Sequence, residues 1–333
     1  MNLLVTGGAG FIGSNFIRHI LNKYPGDRVI NLDKLNYCGN LENLRDIENN
    51  SQYAFIKGDI CDIRIVDKLV SRKPDVILNF AAESHVDRSI MGAQDFIKTD
   101  ILGAQTLLEA VKKYSIKKYI QISTDEVYGE VKTGSFDEQS LLEPNNPYSA
   151  SKAGADLMVR AYQRTFGLPA LITRSSNNFG PYQYPEKLIP LFLTNLLQDK
   201  KVPIYGDGQQ VRDWIYVIDN CEAIDYIMRH GQIGQTYNVG DNNERTNLEI
   251  TKIILEQLNR DQSFIEYVED RPGHDRRYSL DTTKLTNLGW QPRYDFEEAM
   301  AKTIQWYVDN KDWWRPLKSG QYLEYYRKQY MVR

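Results

Sequence analysis

The sequence has no surplus of basic charge: 41 Lys and Arg face 44 Asp and Glu, a formal net charge of 41 − 44 = −3. A general nucleic-acid binder carries a basic excess, so that class is disfavoured. Cysteine is scarce: the 3 residues, Cys38, Cys61 and Cys221, are odd in number and far apart. They make neither a disulfide framework nor a metal-ligand spacing, and they suit a reducing compartment as single thiols. Long apolar runs are missing too. The longest, such as residues 76–82, fall far short of the ~20 that span a bilayer. The opening Met1-Asn2-Leu3-Leu4-Val5-Thr6 has no basic stretch and meets glycine at Gly7, too early for a signal peptide. The expectation is a cytoplasmic protein without a metal site, a membrane or a nucleic-acid partner.

What is present is ordinary for a folded α/β chain. At 333 residues, 41% hydrophobic and 26% charged, it has material for a large core and one or two domains. Tyrosine is abundant, with 22 copies, and its apolar ring and polar tip suit sugar or base recognition as well as core edges. Short β-branched runs at 2–6, 28–33, 53–57, 75–79 and 118–123 read as strands, most followed by a polar or glycine break. Helical spacing of apolar residues occupies 11–22, 62–72 and 103–114. That alternation predicts a doubly wound parallel (Rossmann) sheet. A long helix at 148–166 and a strand at 170–174 follow, then loops, with helical patterns again at 247–258 and 296–309. The expected division is a dinucleotide-binding domain over 1–175, to which later segments return. A smaller mixed α/β substrate lobe covers 176–333.

The first strand runs into Gly7-Gly8-Ala9-Gly10-Phe11-Ile12-Gly13 and then a helix. Gly8, Gly10 and Gly13 match G-x-G-x-x-G in the setting that gives the pattern meaning, a backbone turn that brings a pyrophosphate to a helix N-terminus. Asp33 ends the second strand about twenty residues further on, where a carboxylate accepts ribose hydroxyls and repels a 2′-phosphate. NAD is therefore the expected cofactor. Asp59 and Ile60, after the third strand, are candidates to flank its adenine, although an aspartate there also suits a helix cap.

Tyr148 and Lys152 stand four apart at a helix start and share a face. A free tyrosine is a poor base at neutral pH. A neighbouring ammonium and an oxidised nicotinamide both favour the phenolate, which fits Tyr148 to take an alcohol proton.

These residues, with Asn79-Phe80-Ala81-Ala82 after the fourth strand, resemble the extended short-chain dehydrogenase/reductases. Within that group the chain is similar over essentially its whole length to the dTDP-glucose 4,6-dehydratases. The match runs through residues 81–89, Ser123-Thr124-Asp125-Glu126-Val127-Tyr128-Gly129, residues 174–183 and Asp270-Arg271-Pro272-Gly273-His274-Asp275. The resemblance implies an NAD-dependent hydro-lyase of deoxysugar biosynthesis that converts dTDP-glucose to dTDP-4-keto-6-deoxyglucose. Oxidation at carbon 4 acidifies the hydrogen on carbon 5; water is then lost across carbons 5 and 6, and the hydride returns to carbon 6. Two close carboxyls split their pKa values into one acid and one base. By resemblance Asp125 is the acid and Glu126 the base, which requires a turn, since neighbours on an extended strand face opposite ways. Thr124, at the strand end, can hydrogen-bond the 4-oxygen.

The same resemblance adds Gly7, Phe11, Ile12, Lys34, Ala81, Thr99 and Asn177 to the cofactor set. It puts Asn178, Lys187, Arg212, Asn247 and Arg271 around the pyrophosphate and nucleoside, with Ser84, Leu188 and His274 near the ligand. Pro203 and Tyr205 sandwich the base, while His85 and Arg88 are candidates for the pocket wall. For Arg212 a salt bridge to Asp213, and for Lys187 a solvated helix start, are the plain alternatives. His19 and His230 are expected to do nothing chemical. A UDP-glucose 4,6-dehydratase stays open, because thymine against uracil rests on pocket shape. The acidic pair disfavours a 4-epimerase, and an inert NAD-binding regulator would be expected to lack Tyr148, Lys152 or that pair. In the extended reductases the helices corresponding to 103–114 and 148–166 usually build a homodimer contact; Leu107, Leu108, Val111, Leu157, Val159 and Ala161 are the apolar candidates, unless they simply cover the sheet.

Overall fold

The computed structural model describes residues 1–330. Its strands are β1 (Asn2–Thr6), β2 (Arg28–Asp33), β3 (Tyr53–Lys57), β4 (Val76–Asn79), β5 (Tyr119–Thr124), β6 (Ala170–Ser175), β7 (Asn177–Phe179), β8 (Val202–Tyr205), β9 (Val211–Tyr216), β10 (Thr236–Val239), β11 (Glu244–Thr246) and β12 (Ile265–Val268). Seven of them form one parallel sheet in the order β10-β6-β5-β4-β1-β2-β3. The order reverses between β1 and β4, and ligands of open α/β sheets bind outside the strand C-termini at such a point.

Alternation of side chains sorts the sheet's residues between two cores. Leu3, Val5, Ile120 and Ile122 join a cluster with Phe16, Ile17 and Ile20 of helix Phe11–Lys23 and Ile224 and Ile227 of helix Val217–His230. Leu4, Ile77 and Tyr119 face the other way, against Leu107, Leu108 and Val111 of helix Ala104–Tyr114 and Val159 of helix Pro147–Phe166. Both faces are thus covered by helices, as the pattern of the first half predicts.

The second half holds two small sheets, β11-β9-β7 and β12-β8. It also sends β10 back to the edge of the main sheet, beside β6. The sequence reading places no strand there: Thr236-Tyr237-Asn238-Val239 is short and half polar, and its burial comes from tertiary position. Helix Ala104–Tyr114 does not start cleanly at Gly103, for a π-helical stretch Ile97–Gly103 precedes it. Among the described residues no helix is long and apolar enough to cross a membrane, and no His, Cys, Asp and Glu group could hold a metal ion.

Candidate active site

The glycine loop joins β1 to helix Phe11–Lys23. Gly7 adopts φ +70°, and a Cβ there would lie 2.5 Å from the backbone nitrogen of Ala81. A Cβ on Gly13 would lie 2.4 Å from the Gly7 carbonyl oxygen, so the helix start packs directly on the strand end. Gly7, Gly10 and Gly13 line the cleft. Gly8 does not: it turns inward, its N–H donating to Asn31 Oδ1 at 3.0 Å. The cleft-facing pattern is therefore G-x-x-G-x-x-G through Gly7, a correction to the triplet read through Gly8. Gly10 is the helix N-cap and has no side chain to cap it, so the first amides of Phe11, Ile12 and Gly13 are available to an anion.

Asp33 ends β2 in the same cleft, accepting from Ala9 N at 2.9 Å and Leu35 N at 2.8 Å. Burial pushes its pKa up, against those amides and Lys34. Lys34 Nζ donates to Glu83 Oε1 at 3.0 Å and Thr99 Oγ1 at 2.9 Å. Asp59 and Ile60 line the cleft; the cap of helix Ile63–Val70 is Asp62, so Asp59 is not spent on capping. Ala81, Thr99 and Asn177 complete the lining. These donors, acceptors and glycine cradle fit a dinucleotide with free ribose hydroxyls.

At the far end of this cleft stand Thr124, Asp125, Glu126, Tyr148 and Lys152. β5 stops at Thr124, whose hydroxyl accepts from Glu126 N at 3.3 Å and starts a single 3-10 turn, Asp125–Tyr128. That turn breaks strand alternation and lets both carboxyls line the cleft. Asp125 is 2% exposed and its Oδ2 has no hydrogen-bond partner. Burial first, then the nearby charge of Glu126, holds its carboxyl well above the usual range, which favours the protonated form. Glu126 is less buried and accepts from Ser149 Oγ at 3.4 Å.

Tyr148 is buried near the start of helix Pro147–Phe166, with Phe96 edge-on at 6.2 Å. Its phenol is pushed up, by burial and then by Glu126, Asp100 and Asp125. The sequence reading ascribes the phenolate to the Lys152 ammonium and an oxidised nicotinamide together; Lys152 Nζ donates to the Ile122 carbonyl at 2.7 Å.

A second cavity adjoins the first, and Glu126, Asn177, Glu186 and Lys187 line both. Into it project Leu188, Pro203, Tyr205, Arg212, Asn247, Arg271 and His274, seven of the residues expected at the nucleotide. Ser84 and Asn178 line the first cavity. Lys187 is no solvated helix start: it is part-buried, bonded to the Ser84 carbonyl, and burial lowers its pKa. Arg212 makes no bridge to Asp213, which instead accepts from Asn243 N at 2.7 Å. Arg212, 5% exposed, donates to the carbonyls of Val211 and Asp275 and lies over the Tyr278 ring at 4.2 Å. His274 accepts or donates at Asp270 and is held neutral, burial with Arg271 and Arg212 lowering it to about 4.

Arg88 departs from its expected place. It lines neither cavity; its Nε donates to Glu186 Oε2 at 2.9 Å, with Tyr37 and Tyr325 against the guanidinium. His85 does line the second cavity, next to the Glu186 carbonyl. His19 pairs with Asp225 and His230 packs on Tyr226, away from both. The sequence reading missed Asp87, Glu186, Trp214, Tyr278 and Tyr330, all lining the second cavity. No local pattern marks them, because the fold gathers them from five separate segments.

The parallel sheet, the cleft-facing glycines and the Tyr148-x-x-x-Lys152 pair define an extended short-chain dehydrogenase/reductase. The chain belongs to the family described as GDP-mannose 4,6 dehydratase, whose model matches residues 4–303. It is 49% identical over 324 residues to a dTDP-glucose 4,6-dehydratase of Streptomyces niveus, covering 96% of each chain. It is 52% identical over 312 residues to the low-salt glycan biosynthesis protein Agl12 of Haloferax volcanii, covering 94% of this chain and all of that one. Among solved structures it is similar to the dTDP-glucose 4,6-dehydratase DesIV of Streptomyces venezuelae, crystallised with NAD bound. That match has a TM-score of 0.94 at 49% identity and covers 96% of this chain and 100% of the other.

Proposed function

We propose that the protein is an NAD-dependent dTDP-glucose 4,6-dehydratase, a hydro-lyase that forms dTDP-4-keto-6-deoxyglucose. The observation that carries this reading is the turn Asp125–Tyr128, which brings two carboxyls to one cleft beside Tyr148, where a second cavity lined by Lys187, Arg212 and Arg271 joins it. NAD, when bound along Gly7, Gly10, Gly13 and Asp33, supplies the hydride acceptor for carbon 4 and the donor for carbon 6, so no net redox occurs.

The chain's own residues do the rest. Tyr148, its phenolate favoured by the Lys152 ammonium and by oxidised nicotinamide when bound, takes the proton of the 4-hydroxyl, with Thr124 on the same oxygen and Lys152 anchored to Ile122. Glu126 removes the carbon-5 proton once the 4-ketone has acidified it, and returns a proton to carbon 5 when carbon 6 has regained its hydride. Asp125, protonated by burial, gives its proton to the departing 6-hydroxyl. Arg212 supports the diphosphate end: its buried guanidinium has two carbonyls and the Tyr278 ring as neighbours and no carboxylate bonded to it, so it gains from an anion. Lys187 and Arg271 add charge there, with Asn178, Asn247, Pro203, Tyr205 and His274 around the nucleoside. The substrate lobe of this reading is 176–333, less the segments Val217–His230 and Thr236–Val239, which belong with the dinucleotide-binding unit.

The reading includes a cytoplasmic homodimer. Leu107, Leu108, Val111 and Val159 are core residues and cannot serve the contact. Ile90, Met91, Ile97, Leu102 and Leu157 are exposed on packed helices and supply an apolar face that supports it. Sedimentation showing only monomer at micromolar concentration would remove the dimer.

The activity is tested by mass spectrometry of dTDP-glucose and UDP-glucose after incubation with the protein and catalytic NAD. Loss of one water without net NADH, faster with dTDP-glucose, is expected. An unchanged mass with altered sugar configuration overturns the reading in favour of an epimerase, and faster turnover of UDP-glucose overturns the choice of base.

A further inference from the structure

The helix Gln321–Tyr330 carries none of the residues assigned above to the nucleotide, yet it converges on one of them. Tyr205, at the end of β8, presents its ring to the second cavity. Its hydroxyl donates to Asp87 Oδ2 at 3.1 Å and accepts from Gln329 Nε2. Its ring stacks on Tyr330, with centroids 5.8 Å apart and planes inclined by 29°. Tyr325, one turn earlier on the same helix, donates to Asp87 Oδ2 at 3.0 Å, and Arg271 donates to Oδ1 at 2.7 Å. Burial alone would raise the Asp87 carboxyl; His85 and Arg271 hold it well below the usual range, so it remains an ionised acceptor for all three donors. Tyr330 itself lines the cavity.

A phenol whose oxygen both donates and accepts, and whose face is covered, has one orientation left. A ligand ring that meets such a platform is spared the entropy of ordering it. We propose that helix Gln321–Tyr330 is a positioning element of the nucleotide site: through Gln329 and Tyr330 it locks Tyr205 as the platform for the base, and Tyr330 closes the cavity beside it. This deepens the reading of the second cavity as a nucleoside diphosphate site and rests on it. Base selectivity then depends on a helix remote from the reacting carbons, so its loss should act on binding and spare the chemistry.

The test is titration calorimetry with dTDP and UDP on the full chain, alongside steady-state rates with dTDP-glucose, for Tyr330→Ala, Gln329→Leu and Tyr330→Phe. Stacking of a base on an aromatic platform predicts that Tyr330→Ala weakens dTDP binding about tenfold and narrows the dTDP/UDP ratio. KM should rise by the same factor with kcat within about twofold of wild type, and Tyr330→Phe should restore most of the affinity. Gln329→Leu keeps the volume, removes the bond to Tyr205 and should give a smaller loss of the same kind. A Tyr330→Ala variant that melts cooperatively yet binds dTDP within twofold of wild type overturns the proposal, as does a fall in kcat at unchanged KM. If Tyr330→Ala does not fold, Gln329→Leu decides. Wild-type protein that binds neither nucleotide refutes the reading of the cavity instead, which separates the two failures.

Discussion

Replacing Asp156 by leucine should destabilise the protein by ~3 kcal/mol, at the lower end of what breaking a buried ion pair costs. Asp156 on helix Pro147–Phe166 and Arg174 on β6 are 0% and 2% exposed at their side chains, with Arg174 Nε donating to Asp156 Oδ2 at 2.9 Å. Removing the carboxylate strands a guanidinium whose other partner is the Tyr128 hydroxyl, at 2.8 Å. The lower end is expected because Asp156 Oδ1 has no partner of its own, so the pair is imperfectly satisfied to begin with. A loss of that size is a large part of the ~5–15 kcal/mol that holds a typical domain together. Urea unfolding followed by circular dichroism measures it. The double replacement Asp156→Leu with Arg174→Met removes both charges and should recover most of the loss, leaving the ~1 kcal/mol of the bond to Tyr128. A single variant costing under ~1 kcal/mol, or a double variant less stable than Asp156→Leu, would refute the argument that stranded charge drives the effect.

Three further outcomes are expected. Asp100, which accepts from Ser151 Oγ at 2.6 Å and Glu83 N at 2.9 Å, is raised by burial to about 6. A carboxyl raised on folding contributes stability that is complete below the unfolded pKa of about 4 and is lost as pH rises through the folded value. Asp100→Asn should therefore gain ~2–3 kcal/mol relative to wild type between pH 4 and pH 8; equal differences at both pH values in urea unfolding would exclude this. Gly13→Ala places a methyl 2.4 Å from the Gly7 carbonyl and 2.8 Å from Gly8 Cα, so the loop must shift. At least tenfold weaker NAD binding by fluorescence titration is expected, and unchanged affinity would show that the loop does not hold the cofactor. Asp125→Asn keeps the shape of the turn but has no acidic proton, and kcat should fall by ~10²–10⁴. Glu126→Gln should accumulate reduced cofactor without releasing water; normal turnover by mass spectrometry in either variant would reject the assigned pair.

The parts legible from sequence were those governed by local pattern. β1, β2 and β3 have the bounds read from their apolar runs: β1 and β2 are largely buried parallel strands, and β3 keeps the pattern although it is the part-exposed edge of the sheet. Asp33 and the Tyr148/Lys152 pair follow from spacing against such elements. The misreadings share another cause. Gly8 and Gly7 are equivalent in composition, and only the packing of Gly8 on Asn31 and Ile17 separates them. Arg88 lies in a motif that reaches the cleft, but its partner Glu186 is 98 residues away, and that contact turns it behind the wall. β10 is a strand because β6 offers it an edge, and Asp87 becomes a hub because three distant segments aim donors at it.

Adjacent carboxyls with different tasks need different surroundings, and one turn supplies them here. In an extended strand Asp125 and Glu126 would face opposite sides of the sheet, and one of them would lie outside the cleft. The 3-10 turn brings both to one side but at different depths. Asp125, 2% exposed with a bare Oδ2, has the Thr124 hydroxyl and the charge of Arg212 to set against its burial, and its carboxyl is held well above the usual range. Glu126 stands further out, between Ser149 and the cavity that Lys187 and Arg271 also line. Its negative charge in turn helps hold the proton on Asp125, so ionisation of the second carboxyl reinforces neutrality of the first. The proposed acid and base thus differ in depth within a single turn, and it is the deeper of the two whose carboxyl burial raises.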